Sequence, residues 1–229
     1  GYGRHLARFS GTRVISEIQA HGAGASVQCP GATFVLLDLG GQDSKAIRVG
    51  DGVVQEFVMN DKCAAGSGRY VENMARLLDL ELGEVLQVDA SPVPLTNVCA
   101  TFGESEVIGH LMDGVGLEQI AAGILASVAQ RAAQLLGRLG GLAEEEQLYL
   151  SGGLSGSETL RRFLALDVGT DRVDALPVGR FNGAVGCLAE LGVSPDWDVV
   201  RRAEEKTIGN SVASSASVAI MQAEPGKGE

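Results

Sequence analysis

Two single cysteines and one glycine-rich loop hold most of the chemical potential of this chain. Cys63 stands in MNDKCAAGSGRY, residues 59–70, and Cys99 in NVCATFGESE, residues 97–106; neither belongs to a CxxC pair, and each falls where a loop gives way to a helical pattern. A helix N-terminus favours a thiolate, and the Ala and Gly residues after Cys63 would let a bulky group come close to the backbone. Zinc is usually announced by closely spaced ligand pairs, and a Cys/His nucleophile needs a histidine that the sequence does not place. A 4Fe-4S cluster needs four thiolates, which two copies of the chain could supply across a two-fold axis. The alternative is that lone cysteines are small buried hydrophobes, and that is the reading for Cys29 and Cys187.

The glycine-rich loop is DLGGQDSK, Asp38 to Lys45. Asp38 ends an apolar run, Gly40 and Gly41 would let a phosphate approach the backbone, and Gln42, Asp43, Ser44 and Lys45 share the same turn. Asp38 could hold Mg²⁺ directly or through water, and Gln42 or an Asp could orient an attacking water. A strand turn with an incidental lysine remains open. LYLSGGLSGSETL, residues 148–160, repeats the strand, Gly-Gly, helix arrangement, and Gly152 and Gly153 suit the adenosine part of a nucleotide. No GxxxxGK[ST] occurs, and GSGRY is not a dinucleotide fingerprint.

The elements that must position these groups follow from periodicity. FVLLDL reads as a buried strand, and KAIRV and VVQEFVM around Gly-Asp-Gly read as a hairpin. Helical spacing covers 64–80, 104–112 and 116–140, the last apolar around much of its circumference and therefore expected to be buried. QLYLS, SETLRRFLAL, DRVDALP and FNGAVGCLAELG complete a βββαβαβα order. That order implies an α/β fold whose sheet is largely parallel after its opening hairpin, with ligand loops at strand ends. From Asp196 the pattern fades, leaving 193–229 as a tail, helical near 198–206 and otherwise disordered.

The 229 residues carry 18 basic and 29 acidic side chains, a net charge of −11, which disfavours nucleic acid or an anionic membrane as partner. No apolar run approaches the ~20 residues of a membrane span, and no signal sequence is visible. That pattern suggests a cytoplasmic setting, and four cysteines without scaffold spacing point to reduced thiols or metal ligands rather than bridges.

Taken together and in order, GGQDSK, MNDKCAAGSGR, CATFGESEV, AAGILASVAQR, SGGLSG and NGAVG resemble the ATP-dependent activators of 2-hydroxyacyl-CoA dehydratases and the related ATPase subunits of benzoyl-CoA reductase, over about residues 1–192. The resemblance implies the acetate and sugar kinase, Hsp70 and actin superfamily, whose two ribonuclease H-like lobes clamp ATP. It makes 34–192 the second lobe, 1–33 the remnant of the first, and 193–229 a tail without a counterpart. It makes Cys63 and Cys99 this subunit's ligands to one 4Fe-4S cluster shared across a dimer. DLGGQDSK becomes the second phosphate loop, with Gln42 placing the hydrolytic water, while SGGLSG becomes the adenosine loop. Glu104 and Glu106 follow the second cysteine as in the family, with a solvated or capping role equally open, and His21 is expected to pack or hydrogen-bond.

The implied function is ATP-driven delivery of a low-potential electron, taken from ferredoxin or flavodoxin, to a 2-hydroxyacyl-CoA dehydratase or aryl-CoA reductase partner. The implied assembly is a homodimer or a pairing with a homologous subunit. The first lobe's own DxG-type loop is missing ahead of GYGR, so an inactive truncated remnant is one alternative; a sugar or N-acetylhexosamine kinase without a cluster is another.

Overall fold

The structure, a computed structural model, describes residues 14–29, 33–60, 66–96 and 100–209, with 207–209 described by backbone alone. Cys63 and Cys99 lie outside the described residues, as does the tail beyond Gly209.

After helix α1 (Glu17–Gln28) come β1 (Thr33–Leu39), β2 (Ser44–Gly50) and β3 (Val53–Asn60). Four helices follow: α2 (Gly68–Leu77), α3 (Leu82–Gln87), α4 (Ala100–Met112) and α5 (Leu117–Arg138). The chain then alternates through β4 (Gln147–Ser151), α6 (Glu158–Val168), β5 (Val173–Ala175), α7 (Asn182–Glu190) and α8 (Trp197–Gly209). The sheet order is β3-β2-β1-β4-β5. The first three strands are antiparallel neighbours, whereas β4 and β5 join parallel to β1. This is the α/β arrangement that the sequence pattern implies, and the ribonuclease H-like lobe that the resemblance implies.

The hairpin between β2 and β3 turns on Asp51 and Gly52, with φ of 52° and 76°. Two successive left-handed residues match the twist of paired strands, and Gly52 adopts that conformation without Cβ strain.

Side-chain alternation divides β1 between two cores. Val35, Leu37 and Leu39 pack into the larger one with α2, α5 and α6, while Phe34 and Leu36 face a smaller one with Ile47, Val49 and Ala25 of α1. Each such aliphatic side chain, fully buried, contributes about 1.5–3 kcal/mol. Helix α5 comes nearer to a membrane span than the sequence pattern suggests, since its 22 residues qualify by length and composition; 67% of its most apolar window is buried inside the protein.

Helix α1, which periodicity did not reveal, opens with a capping box: Ser16 Oγ accepts from Gln19 N, and Gln19 Oε1 accepts from Ser16 N. Its buried face is Ala20, Gly22, Gly24 and Ala25, so it lacks the large apolar residues that make a helical stripe visible. Small residues let it touch α7 backbone to backbone. A Cβ on Gly24 would lie 2.1 Å from Asn182 O, and one on Gly186 would lie 1.7 Å from Ala20 O.

Cys187 corrects the sequence reading. It is exposed, because α7 turns Asn182, Val185 and Gly186 inward; Cys29 is half-buried beside the smaller core.

Candidate functional site

Strand register builds the centre of the site. Lys45 on β2 and Ser151 on β4 are the two sheet neighbours of Asp38 on β1. All three side chains lie on the face covered by α1. Ser151 Oγ donates to Asp38 Oδ1 at 2.8 Å, and Lys45 Nζ lies 3.4 Å from Asp38 Oδ2. Lys45 also meets Asp43 Oδ1 at 2.6 Å and Glu17 Oε1 at 2.9 Å. Its side chain is 1% exposed. Burial works to lower its pKa, but Asp38, Asp43 and Glu17 outweigh that and hold the ammonium well above the usual lysine range. Burial likewise opposes ionisation of Glu17, and the Lys45 ammonium reverses the balance, leaving its carboxyl below the ordinary value.

Helix α1 brings His21 as well as Glu17. His21 Nδ1 is 3.4 Å from Asp38 Oδ1, and Nε2 is 4.0 Å from Glu17 Oε1. Buried Asn182 orients the ring: its Nδ2 donates to His21 O at 3.0 Å and meets Nδ1 at 3.3 Å, while its Oδ1 accepts from Gln28 Nε2. Ligand atoms of Glu17, His21 and Asp38 all fall within 4.8 Å of one another. Three acids against one lysine leave an excess of acid, an arrangement that attracts a divalent cation.

These groups line an open cleft of about 340 Å³ together with Gly40, Gly41, Gln42, Gly152, Gly153 and Arg180. The two glycine loops therefore meet. Gly152 is strained for any other residue, with φ of 89° and a Cβ position 2.2 Å from Leu39 O. Beyond it, Gly152, Gly153 and Arg180 also border a smaller hollow walled by Gly83, Leu86 and Gln87 of α3 and by Glu204 of α8.

The phosphate-loop candidate is tied to the start of α2. Gly68 N donates to Gly40 O at 2.8 Å, Arg69 N to Gly41 O at 2.9 Å, and Ser44 Oγ to Gly66 O at 2.7 Å. Ser44 thus faces α2, whereas Asp38, Gly40, Gly41, Gln42, Asp43, Lys45, Gly152 and Gly153 share the cleft. Glu104 is exposed, and Glu106 accepts from Thr96 N, with hydrogen bonds from Thr96 holding its carboxyl below the usual range.

Sequence reasoning missed Glu17, Arg180, Asn182, Glu204 and the α3 wall. A capping box at Ser16 was the available signal for Glu17; the others lie far along the chain from the loops they join.

Several known proteins are similar to this chain over most of its length. The activator of lactoyl-CoA dehydratase from Anaerotignum propionicum is 41% identical over 191 residues, 81% of this chain and 71% of that protein. The solved (R)-2-hydroxyglutaryl-CoA dehydratase component A of Acidaminococcus fermentans superposes with a TM-score of 0.72 at 34% identity, covering 77% of this chain and 67% of that one. The activator of the 2-hydroxyisocaproyl-CoA dehydratase from Clostridium difficile, solved with bound ADPNP, gives 0.75 at 28% identity, covering 95% and 76%. The family model extends over residues 1–190, through the sheet and both glycine loops to the end of α7, and on that span the chain belongs to the BadF/BadG/BcrA/BcrD ATPase family.

Proposed function

We propose that this chain acts in an ATP-hydrolysing iron-sulfur activator that passes a low-potential electron from ferredoxin or flavodoxin to a partner of the 2-hydroxyacyl-CoA dehydratase or benzoyl-CoA reductase type. The observation that carries the reading is the docking of the DLGGQDSK loop on residues 66–69, just after Cys63. A change in the loop on nucleotide binding or hydrolysis would pull on the segment that leads from that cysteine into α2.

In this reading α1 docks on a second lobe of residues 34–192, and 193–229 form a tail. Gly40 and Gly41 admit the phosphates, Gly152 and Gly153 the adenosine side, and the Arg180 guanidinium reaches the Gly153 carbonyl beside them. Exposed Gln42 places the hydrolytic water. Asp38, Glu17 and His21 fit Mg²⁺ through its water shell, since Mg²⁺ prefers oxygen and keeps its waters; the bound ion would neutralise phosphate charge. Buried Lys45, itself paired with Asp43, holds Asp38 and Glu17 in place, and Ser44 anchors the loop. A 4Fe-4S cluster held by Cys63 and Cys99 of two subunits would supply the one-electron chemistry. A coupling free energy of ~1–3 kcal/mol between nucleotide and electron sites matches a potential shift of roughly 100 mV, worth about 2.3 kcal/mol per electron.

Anaerobic reconstitution with iron and sulfide tests the proposal. Wild-type protein is expected to hold about four irons per dimer, with the broad brown absorption of the cluster. Cys63→Ala or Cys99→Ala abolishes it, and Cys187→Ala keeps it. Colourless wild-type dimers that still hydrolyse ATP would overturn the electron-transfer reading.

A further inference from the structure

The hollow beside the Gly152-Gly153 turn is bordered by Glu204, one of whose carboxylate oxygens has no hydrogen-bond partner among the described residues. Glu204 projects from α8, beyond the segment that matches the family. Its Oε1 accepts from Arg180 N at 3.2 Å, so one oxygen fixes the approach to α7. Its Oε2 is buried and meets no hydrogen-bond partner among the described residues. A buried acceptor left unpaired costs more than a typical hydrogen bond gains, so such atoms are uncommon without a ligand. Burial raises the Glu204 pKa, against the backbone N-H groups of Arg180 and Phe181 and the Arg180 charge. A hydroxyl donor would relieve that cost.

The surroundings say which donor fits. The hollow opens on Gly152, Gly153 and Arg180, which it shares with the acid-lined cleft, so a ligand with phosphates in the cleft places its next group here. Its volume is about 40 Å³, room for about three water-sized groups. That suits the hydroxyl edge of a sugar. Carboxylates take ribose hydroxyls in other nucleotide folds, because an ionised carboxylate oxygen is a strong acceptor for a sugar O-H.

We infer that Glu204 Oε2 accepts a hydrogen bond from a ribose hydroxyl of the bound nucleotide, so that α8 supplies a sugar-selecting residue from outside the family-matching segment. The inference rests on the nucleotide reading of the cleft.

Calorimetric titration of the 229-residue chain with ADP, 2′-deoxy-ADP and 3′-deoxy-ADP, in the presence of Mg²⁺, tests it. Wild-type protein is expected to bind ADP about tenfold more tightly than at least one of the deoxy analogues, the scale of one hydrogen bond to a charged acceptor. Glu204→Gln keeps an acceptor for Arg180 N and replaces the second oxygen with a donor; it should shrink the preference to about twofold or less. Glu204→Asp, which withdraws the carboxylate by one methylene, should do the same and serves if the glutamine variant fails to fold. Tight ADP binding with no preference, or a preference that survives in a folded variant, overturns the inference and leaves the nucleotide reading standing. Failure of wild-type protein to bind ADP overturns both.

Discussion

His21 Nδ1 lies 3.4 Å from Asp38 Oδ1, although one residue comes from α1 and the other from the end of β1. The contact exists because α1 and α7 cross with almost no side chain between them, at Gly24 and Gly186. That close crossing lets Asn182, at the start of α7, hold His21 by both its carbonyl and its ring. Helix packing thereby sets the position of Glu17 and His21 above the buried Asp38 and Lys45.

Gly186→Ala should test that dependence. Its methyl would meet Ala20 O at 1.7 Å, so the helices must separate. A loss of roughly 2–3 kcal/mol in urea unfolding is expected, together with faster amide exchange in α1. Unchanged α1 protection would show that the crossing is more compliant than its geometry implies.

Lys45→Met removes the one cation among three carboxylates. Breaking a buried ion pair from one side costs about 3 kcal/mol at neutral pH. The carboxylates then repel one another and resist ionisation more than in the unfolded chain. Stability of the variant should therefore rise on acidification from about pH 7 to pH 5, opposite to its usual direction in acid. A variant with wild-type urea midpoints would mean that the acids find other partners.

In the wild-type protein the same cluster predicts a plateau. Glu17 has its pKa lowered from 4.5 on folding, so its contribution is present above that value and is lost as pH falls through the folded one. Lys45 has its pKa raised from 10.5, so its contribution is present below that value and is lost as pH rises through the folded one. Urea midpoints measured across pH should bend down at both ends, and Lys45→Met should lose the alkaline bend.

The two glycines after β4 should behave differently. Gly152→Ala forces a left-handed backbone and drives a methyl against Leu39 O, at a cost of roughly 3 kcal/mol. Gly153→Ala meets nothing within 4 Å and should leave stability within about 0.5 kcal/mol. Any effect of Gly153→Ala will then appear in ADP affinity alone, which calorimetry reads directly.

Gln42→Ala should slow ATP hydrolysis by about 100-fold while changing nucleotide affinity less than threefold, as expected for a residue that places water in the transition state. Equal losses in both would make Gln42 a structural member of the loop.

Much of this architecture was legible in the sequence, because short-range physics encodes it. The FVLLDL run, the Gly-Asp-Gly hairpin, the apolar length of α5 and the two Gly-Gly loops each declare themselves within one continuous stretch of the chain. The αL turn at Gly52 and the strand-end position of Asp38 follow the same local rules. Helix α1 stayed hidden because its buried face is alanine and glycine, which carry almost no hydropathy signal. Cys187 was misread for a related reason: in a helix as apolar as α7, composition does not say which side faces the core. The site itself was divided. Its loops could be read, but the joining of Asp38 to Ser151, 113 positions away, and of His21 to Asn182, 161 positions away, required the folded sheet and the crossing of α1 with α7. The burial of Lys45 among three acids and the placing of Glu204 beside the Gly152-Gly153 turn are likewise consequences of tertiary packing, since contacts between distant segments depend on shape and register that no local pattern encodes.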